Sequence, residues 1–319
     1  MVSKTDSPAV VVDALSYRYG DRLALDAVGF SVAPGEIFGL LGPNGGGKTT
    51  LFSLLSTLRP APAGRMRIFG ADPGASPAQV QRRIGVVFQA PSLDPNLTVR
   101  ENMLHQGHLY GLSGPRLVER AERLAERLGV ATRLGDRVAI LSGGLERRVE
   151  IAKSLLHGPR LLLLDEPSTG LDPGIRRELW TLLEELRSED GVTVLLTTHF
   201  MEEGERCDRV GLLDRGRLVA IGRPGELEEA VGGQVVRVLS ERPHEVIERL
   251  ASRFGVEAQV SGESVQFELE NAHQRVVELV ESLSGSIRSI TIARPTLEDV
   301  FLRRTGHAFW EAASEEVRR

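Results

Sequence analysis

The chain has 319 residues, more than one domain of about 150 residues accounts for, so its length sets an expectation of two domains. Apolar residues make up 41% and charged residues 26%, which excludes long disorder, collagen and coiled-coil rods. The net charge of −5 argues against a general nucleic-acid binder, and the single cysteine, Cys207, excludes an intramolecular disulfide framework and suits a reducing compartment. No apolar run reaches the roughly 18–20 residues of a bilayer span. The start, MVSKTDSPAV, lacks the apolar stretch of a secretory signal. The expectation is a soluble, cytoplasmic chain with no span of its own.

In chain order, the first clear element is a short apolar strand, Glu36–Leu41. Gly42-Pro43-Asn44-Gly45-Gly46-Gly47-Lys48-Thr49-Thr50 follows and matches G-x-x-x-x-G-K-[ST]. Helical spacing then runs over Lys48–Thr57. Glycines let such a loop wrap with its N–H groups inward, and the new helix adds the positive end of its dipole. Lys48 is expected to reach β- and γ-phosphates, and the Thr49 hydroxyl to ligate Mg²⁺. The segment Arg59–Gly64 is the densest breaker stretch and reads as a loop.

Ile84–Phe88 and Leu161–Leu164 are apolar runs too short for independent helices and fit buried parallel strands. Between them, Asn96–His157 looks almost wholly helical, with Arg116–Leu128 the clearest segment. Within it, Leu141-Ser142-Gly143-Gly144-Leu145 precedes a helical stretch, with Ser142 a plausible N-cap and glycine N–H groups making a second anion site. A plain capped helix is the simpler rival for those five residues. The run Leu161–Leu164 ends in Asp165-Glu166-Pro167. A buried strand with that ending delivers two carboxylates to the carboxyl edge of a parallel sheet, where α/β ligand sites lie. Asp165 suits Mg²⁺ and Glu166 suits the base that activates water. Gly174–Ser188 reads as a helix and Val192–Thr197 as another buried strand. Strands with intervening helices mean an α/β domain.

Gly222-Arg223-Pro224-Gly225 marks a break, and the pattern changes after it. Gln234–Leu239 reads as a strand and His244–Arg253 as a helix. Two alternating runs follow, Val256-Ala258-Val260 and Val265-Phe267-Leu269, joined by a turn at 262–264. Ala272–Ser282 is helical and Ile287–Ile292 a final strand. The order β-α-β-β-α-β is the split βαβ of ferredoxin-like domains. The expected domains are 1–225 and 226–319.

Taken together, these residues resemble the nucleotide-binding domain of ATP-binding cassette proteins over roughly 8–225. Gly42–Thr50 resembles Walker A, Leu161–Glu166 resembles Walker B with its catalytic glutamate, and Leu141–Leu145 resembles the family signature. Gln89 stands where the Q-loop glutamine belongs, Ser168–Asp172 resembles the D-loop, and His199 the switch histidine. Tyr19 resembles the aromatic residue that stacks on adenine, with Tyr17 a rival. The resemblance implies a P-loop NTPase cassette, with a RecA-like core and a helical subdomain at about 90–158. It also implies ATP and Mg²⁺ as ligands. Thr49, Gln89 and Asp165 would serve the metal, and Glu166, His199 and Gln89 the hydrolysis. Two copies would pair head to tail, each ATP lying between Walker A of one and Ser142-Gly143-Gly144 of the other. One departure stands out: the fifth signature position, usually Gln, is Leu145. Gly46 also occupies a position that is often Ala or Ser.

The tail Ala293–Leu302 is similar to that of ATPase subunits of daunorubicin-resistance-type exporters, which pair with membrane proteins of the ABC-2 class. By itself it reads as an amphipathic helix with Pro295 at its start and Leu297, Val300 and Phe301 on one face. It serves equally as a helix closing its own small domain. The reading is a cytoplasmic ATPase subunit of a drug-type exporter, peripheral to the membrane through a permease, with no nucleic acid expected. A soluble cassette ATPase acting on ribosomes or DNA repair stays open. So does a nucleotide-gated module with weak hydrolysis, which Leu145 motivates.

Overall fold

The computed structural model describes residues 7–62 and 64–309. Residues 1–6 of the start that lacks a signal pattern, Ala63 of the breaker stretch, and residues 310–319 lie outside the described residues. The chain divides into two compact units, Met1–Leu218 and Val219–Arg319. Among the described residues, no helix is long and apolar enough to cross a membrane.

The first unit opens with a hairpin that sequence periodicity did not reveal. Its strands are β1 (Val10–Tyr19) and β2 (Arg22–Val32), paired antiparallel. The register shifts between Val12 and Leu15 and again before Tyr17. Ala14 and Ala27 adopt positive φ. Such bulges interrupt the two-residue alternation that would mark a strand in sequence. β3 (Ile37–Leu41) comes next, buried throughout, and the loop 42–47 leads from it into α1 (Lys48–Leu55). The short β4 (Met66–Ile68) pairs with β1 to complete the order β2-β1-β4.

After α2 (Pro77–Gln81), β5 (Ile84–Val87) enters the second sheet. The expected helical stretch then resolves into α3 (Val99–Leu109), α4 (Gly114–Arg127) and α5 (Gly143–Leu155), with irregular chain and two short 3-10 turns before α5. Thr98 and Glu101 form a reciprocal capping box that starts α3. β6 (Leu161–Asp165), α6 (Pro173–Asp190), β7 (Thr193–Thr198), α7 (Met201–Gly204), β8 (Arg209–Asp214) and β9 (Arg217–Gly222) follow. The sheet order is β5-β6-β7-β3-β8-β9, and the pairs β5–β6, β6–β7, β3–β7 and β3–β8 are all parallel. β3, β6 and β7 are buried at every residue, as strands covered on both faces must be. Each fully buried leucine of Leu161–Leu164 contributes about 1.5–3 kcal/mol.

The division between units falls inside β9. The breaker Gly222–Gly225 is instead the start of α8 (Pro224–Glu229), because Pro224 at the first helical turn loses no hydrogen bond. The second unit continues with β10 (Gln234–Leu239), α9 (Pro243–Phe254), β11 (Ala258–Ser261), β12 (Ser264–Leu269), α10 (Val276–Ser282), β13 (Ser289–Ala293) and α11 (Leu297–Thr305). Its sheet order, β11-β12-β10-β13, is antiparallel throughout. Val256 precedes β11 rather than opening it, and residues 272–274 form a 3-10 turn ahead of α10. Val236, Val238, Val265, Phe267 and Leu269 share one core with Val246 and Leu250 of α9 and Leu279 of α10. The alternate positions Arg237 and Gln266 both bond Asp299 of α11, so that helix serves the opposite face.

Close approach explains two glycines in the loop after β3. A Cβ on Gly42 would collide with the Leu213 carbonyl, and Gly47 holds φ +105. We expect Gly42→Ala to cost about 1–3 kcal/mol through overpacking, measured as a lowered thermal midpoint. Gly143→Ala is the contrast: nothing lies within 4 Å of its Cβ position, so its stability should stay within about 0.5 kcal/mol.

Candidate active site

The loop 42–47 closes around the Lys48 side chain. Lys48 Nζ donates to the carbonyls of Gly42 at 2.6 Å and Pro43 at 3.0 Å, and lies 3.4 Å from Glu166 Oε1. Burial lowers its pKa, against the pull of Glu166 and Asp165. Gly45 and Gly47 both take positive φ, the backbone form that turns successive N–H groups the same way. Asn44, Gly45 and Thr49 face solvent, Gly42, Pro43 and Gly46 are buried, and Thr50 is half-buried.

One threonine bonds the Asp165 carboxylate and the Glu166 backbone. The parallel register sets Asp165 of β6 opposite Thr197 of β7. Thr197 Oγ1 donates to Asp165 Oδ1 at 2.6 Å and accepts from the Glu166 N–H at 3.0 Å. The same N–H donates to the Thr197 carbonyl at 3.1 Å. These bonds hold Glu166 at φ +46, a conformation L-residues seldom adopt. Burial pushes the Asp165 carboxyl above its usual range.

Glu166 gathers the remaining residues. Its Oε2 accepts from His199 Nδ1 at 3.1 Å, from Thr169 Oγ1 at 3.2 Å and from Gln89 Nε2 at 3.4 Å. The His199 bond requires the proton on Nδ1. That bond, with Lys48, holds the Glu166 carboxyl below the usual range although burial opposes it. Lys48, Gln89, Asp165, Glu166 and His199 thus come from four separate stretches into one contact network. Thr197, which sequence reasoning did not single out, holds it together. Its only signal is a polar residue closing the apolar run of β7, legible once the strand pairing is known.

Other expected site residues lie elsewhere. Tyr17 packs partly buried against the core, whereas Tyr19, at the end of β1, is 38% exposed. The Tyr19 ring meets Tyr17 edge-on at 5.2 Å and carries the Arg59 guanidinium 4.9 Å above it. Ser142 caps α5 by accepting from the Leu145 N–H at 3.5 Å, and Ser142 and Gly143 are exposed. A Cβ on Gly144 would stand 2.7 Å from Ile175, so α5 packs closely on α6 there. Among the described residues, no hydrogen bond or ion pair joins Ser142–Gly144 to Lys48, Asp165 or Glu166. Leu145 is half-buried. Asp172 caps α6 through bonds to the Gly174 and Ile175 N–H groups. Ser168 donates to Glu203, a buried carboxylate that also accepts from Thr198 Oγ1 at 2.5 Å.

Comparison with known proteins gives a consistent result. The family model described as "ABC transporter" matches residues 25–169, and an AAA-domain model matches 146–201. The chain is 38% identical over 300 residues to the "Nod factor export ATP-binding protein I" of Rhizobium etli, covering 93% of each chain. It is 38% identical over 327 residues to the "Daunorubicin resistance ATP-binding protein DrrA2" of Streptomyces coeruleorubidus, covering 98% of this chain and 99% of that one. Among solved structures, it is similar to cbiO1 from Clostridium perfringens, part of an ABC transporter complex. There the TM-score is 0.63 at 28% identity, over 78% of this chain and 96% of that one. A dimeric post-hydrolysis state of an ATP-binding cassette bound to ADP and Pi gives a TM-score of 0.61 at 28% identity, over 67% and 98%.

The Glu166 environment has a pH signature. A carboxyl whose folded pKa is depressed adds stability above its ordinary value of 4.5, and that stability is lost as the pH falls through the folded value. The gap in thermal midpoint between the natural chain and Glu166→Gln should therefore shift against the natural chain on acidification below that value. A gap that stays constant from neutral to strongly acid pH would contradict the network.

Proposed function

The chain belongs to the ATP-binding subunits of ABC transporters, and from that premise we propose that it is the ATPase that powers an exporter of amphipathic, drug-like compounds. The carrying observation is Glu166, where Lys48, Gln89, Thr169 and His199 converge on one carboxylate. The similarity to export and drug-resistance subunits runs over both units of the chain, which favours an exporter over a soluble cassette ATPase.

In this reading the loop 42–50 binds the ATP phosphates with its N–H groups, and Lys48 exchanges its carbonyl partners for phosphate oxygens. Tyr19 offers its exposed ring to adenine. Thr49, Gln89 and Asp165 would hold Mg²⁺ through a hydroxyl, an amide oxygen and a carboxylate, hard oxygen donors of the kind that suit this ion. Mg²⁺, when bound, supplies charge neutralisation at the β- and γ-phosphates. Glu166, ionised at neutral pH, takes the proton of the attacking water, while His199 fixes the carboxylate's orientation and reaches toward the γ-phosphate. Ser142-Gly143-Gly144, with Ser142 and Gly143 exposed at the start of α5, meets the nucleotide of a second copy. The pair closes on ATP and opens after hydrolysis. Membrane attachment comes through an integral permease of the ABC-2 class, which places the subunit at the cytoplasmic face. Ser142-Gly143-Gly144 is intact beside Leu145, so the reading keeps hydrolysis.

Glu166→Gln should lower ATP turnover by about 10²–10⁴-fold while keeping nucleotide bound, and should accumulate an ATP-bound dimer on size exclusion. Turnover at the natural rate would sink the base assignment. Lys48→Ala should lose nucleotide affinity in a direct binding titration. Purification from membranes should carry an integral membrane protein along and show faster hydrolysis than the isolated chain; recovery without one would count against the exporter reading.

A further inference from the structure

A cavity of about 700 Å³ lies at the amino edge of the parallel sheet, within the size range of small-molecule sites. Arg160 leads into β6, and Gly191 and Val192 lead into β7, whereas Asp165 and Glu166 stand at the other end of β6. Six residues of extended chain, roughly 20 Å, separate Arg160 from Glu166. None of Lys48, Gln89, Asp165, Glu166 or His199 lines this cavity.

Four arginines do. Arg120, Arg123 and Arg127 of α4, with Leu124 among them, fall at spacings of three and four on one helix face, and Arg160 comes from the segment before β6. Arg127 is bonded to Glu189 at 3.0 Å and to Asp190. The Arg160 guanidinium stacks 4.0 Å over the Phe69 ring. Arg120 is half-buried and Arg123 exposed, and among the described residues neither forms an ion pair or a side-chain hydrogen bond. Glu119 stands four residues before Arg123, the spacing that favours pairing on a helix, yet leaves it alone. Gly158 holds φ +72, and a Cβ there would stand 2.9 Å from an Arg120 terminal nitrogen, so the guanidinium lies against bare backbone. The other walls include the buried Leu155, Pro159 and Val192. Guanidiniums facing apolar walls gain from an anion more than those of an open, solvated helix face.

We propose that this cavity binds a small phosphate monoester with an apolar or aromatic body. Four arginines meet two acids, Glu189 and Asp190. The surplus of two positive charges matches the roughly −2 of a phosphate monoester. The forks of Arg120 and Arg123 each suit two phosphate oxygens. The ester's body lies on Leu124 and Leu155, beside the stacked Arg160 and Phe69. Once bound, the ligand ties α4 to the segments that enter β6 and β7. The site needs neither ATP nor a second copy of the chain.

Phosphorus NMR titration of phenyl phosphate into the full chain, saturated with MgADP, tests the site. Binding should saturate, and Arg120→Gln should weaken it about 10- to 100-fold. Arg123→Gln, at an exposed position with little folding cost, should weaken it comparably. Inorganic phosphate should bind about 10-fold or more weakly than the ester, for want of the apolar body. Leu124→Ala should narrow that gap while leaving inorganic phosphate unchanged. Absence of binding, or unchanged affinity in Arg120→Gln/Arg123→Gln, would overturn the site. Equal affinity for inorganic phosphate would overturn the apolar subsite. Binding lost in Lys48→Ala but kept in both arginine variants would put the ester in the loop 42–50 instead. Tighter, Arg120-dependent binding to phosphatidic acid vesicles than to phenyl phosphate would replace the soluble ligand with a lipid headgroup.

Discussion

The parallel register of β6 and β7 is the constraint on which the site depends. It sets Asp165 beside Thr197, so that one hydroxyl donates to the Asp165 carboxylate and accepts from the Glu166 N–H. A register slip of one residue would turn Thr197 to the other face of the sheet and release both acids. The left-handed backbone of Glu166 costs about 1–2 kcal/mol. Its two N–H contacts offset that cost, and the geometry aims the carboxylate back over the loop that holds Lys48.

The two adjacent acids sit in opposite electrostatic surroundings. Asp165 is buried against Thr197 and its carboxyl is pushed up; Glu166 receives donors from His199 and contact from Lys48, and its carboxyl is pulled down. Neighbouring carboxylates with opposite shifts suit different tasks, one as a ligand that gains a cation partner and one as a base already ionised. Burial depresses Lys48, and an anion beside it would favour its charged form. Around this centre, Arg147 and Glu150 of α5, which bond the Phe88 carbonyl and Ser92, and the Glu203 carboxylate between Ser168 and Thr198 fix the loops that carry the outer residues.

The second unit obeys the same rule of completed polar groups. Asp299 is buried, yet its two oxygens accept from Arg237, Gln266, and the N–H and hydroxyl of Thr296. That reciprocal cap starts α11, with Pro295 just outside it, while Leu297, Val300 and Phe301 turn inward. The tail that resembles drug-exporter subunits therefore closes its own domain, and its acidic residue is the hub joining helix to sheet.

Much of the candidate site was legible in the sequence because its residues fall in short local patterns. The glycine loop 42–47 runs directly into α1, Asp165-Glu166 ends a buried strand, and Ser142–Gly144 begins α5. Uniformly apolar runs likewise announced β3, β6 and β7. The hairpin β1–β2 stayed hidden because its bulges break alternation, and the breaker at 222–225 concealed a helix start.

What the sequence could not supply was partnership. Gln89 and His199 lie far apart along the chain and meet at Glu166. Thr197, Arg147 and Glu150 look like ordinary strand and helix residues until sheet register and helix packing bring them to the acids and to residues 88–92. Spacing is a property of the chain and survives in its letters. Hydrogen bonds between distant segments depend on which strands pair and in what register, and only the tertiary structure decides that.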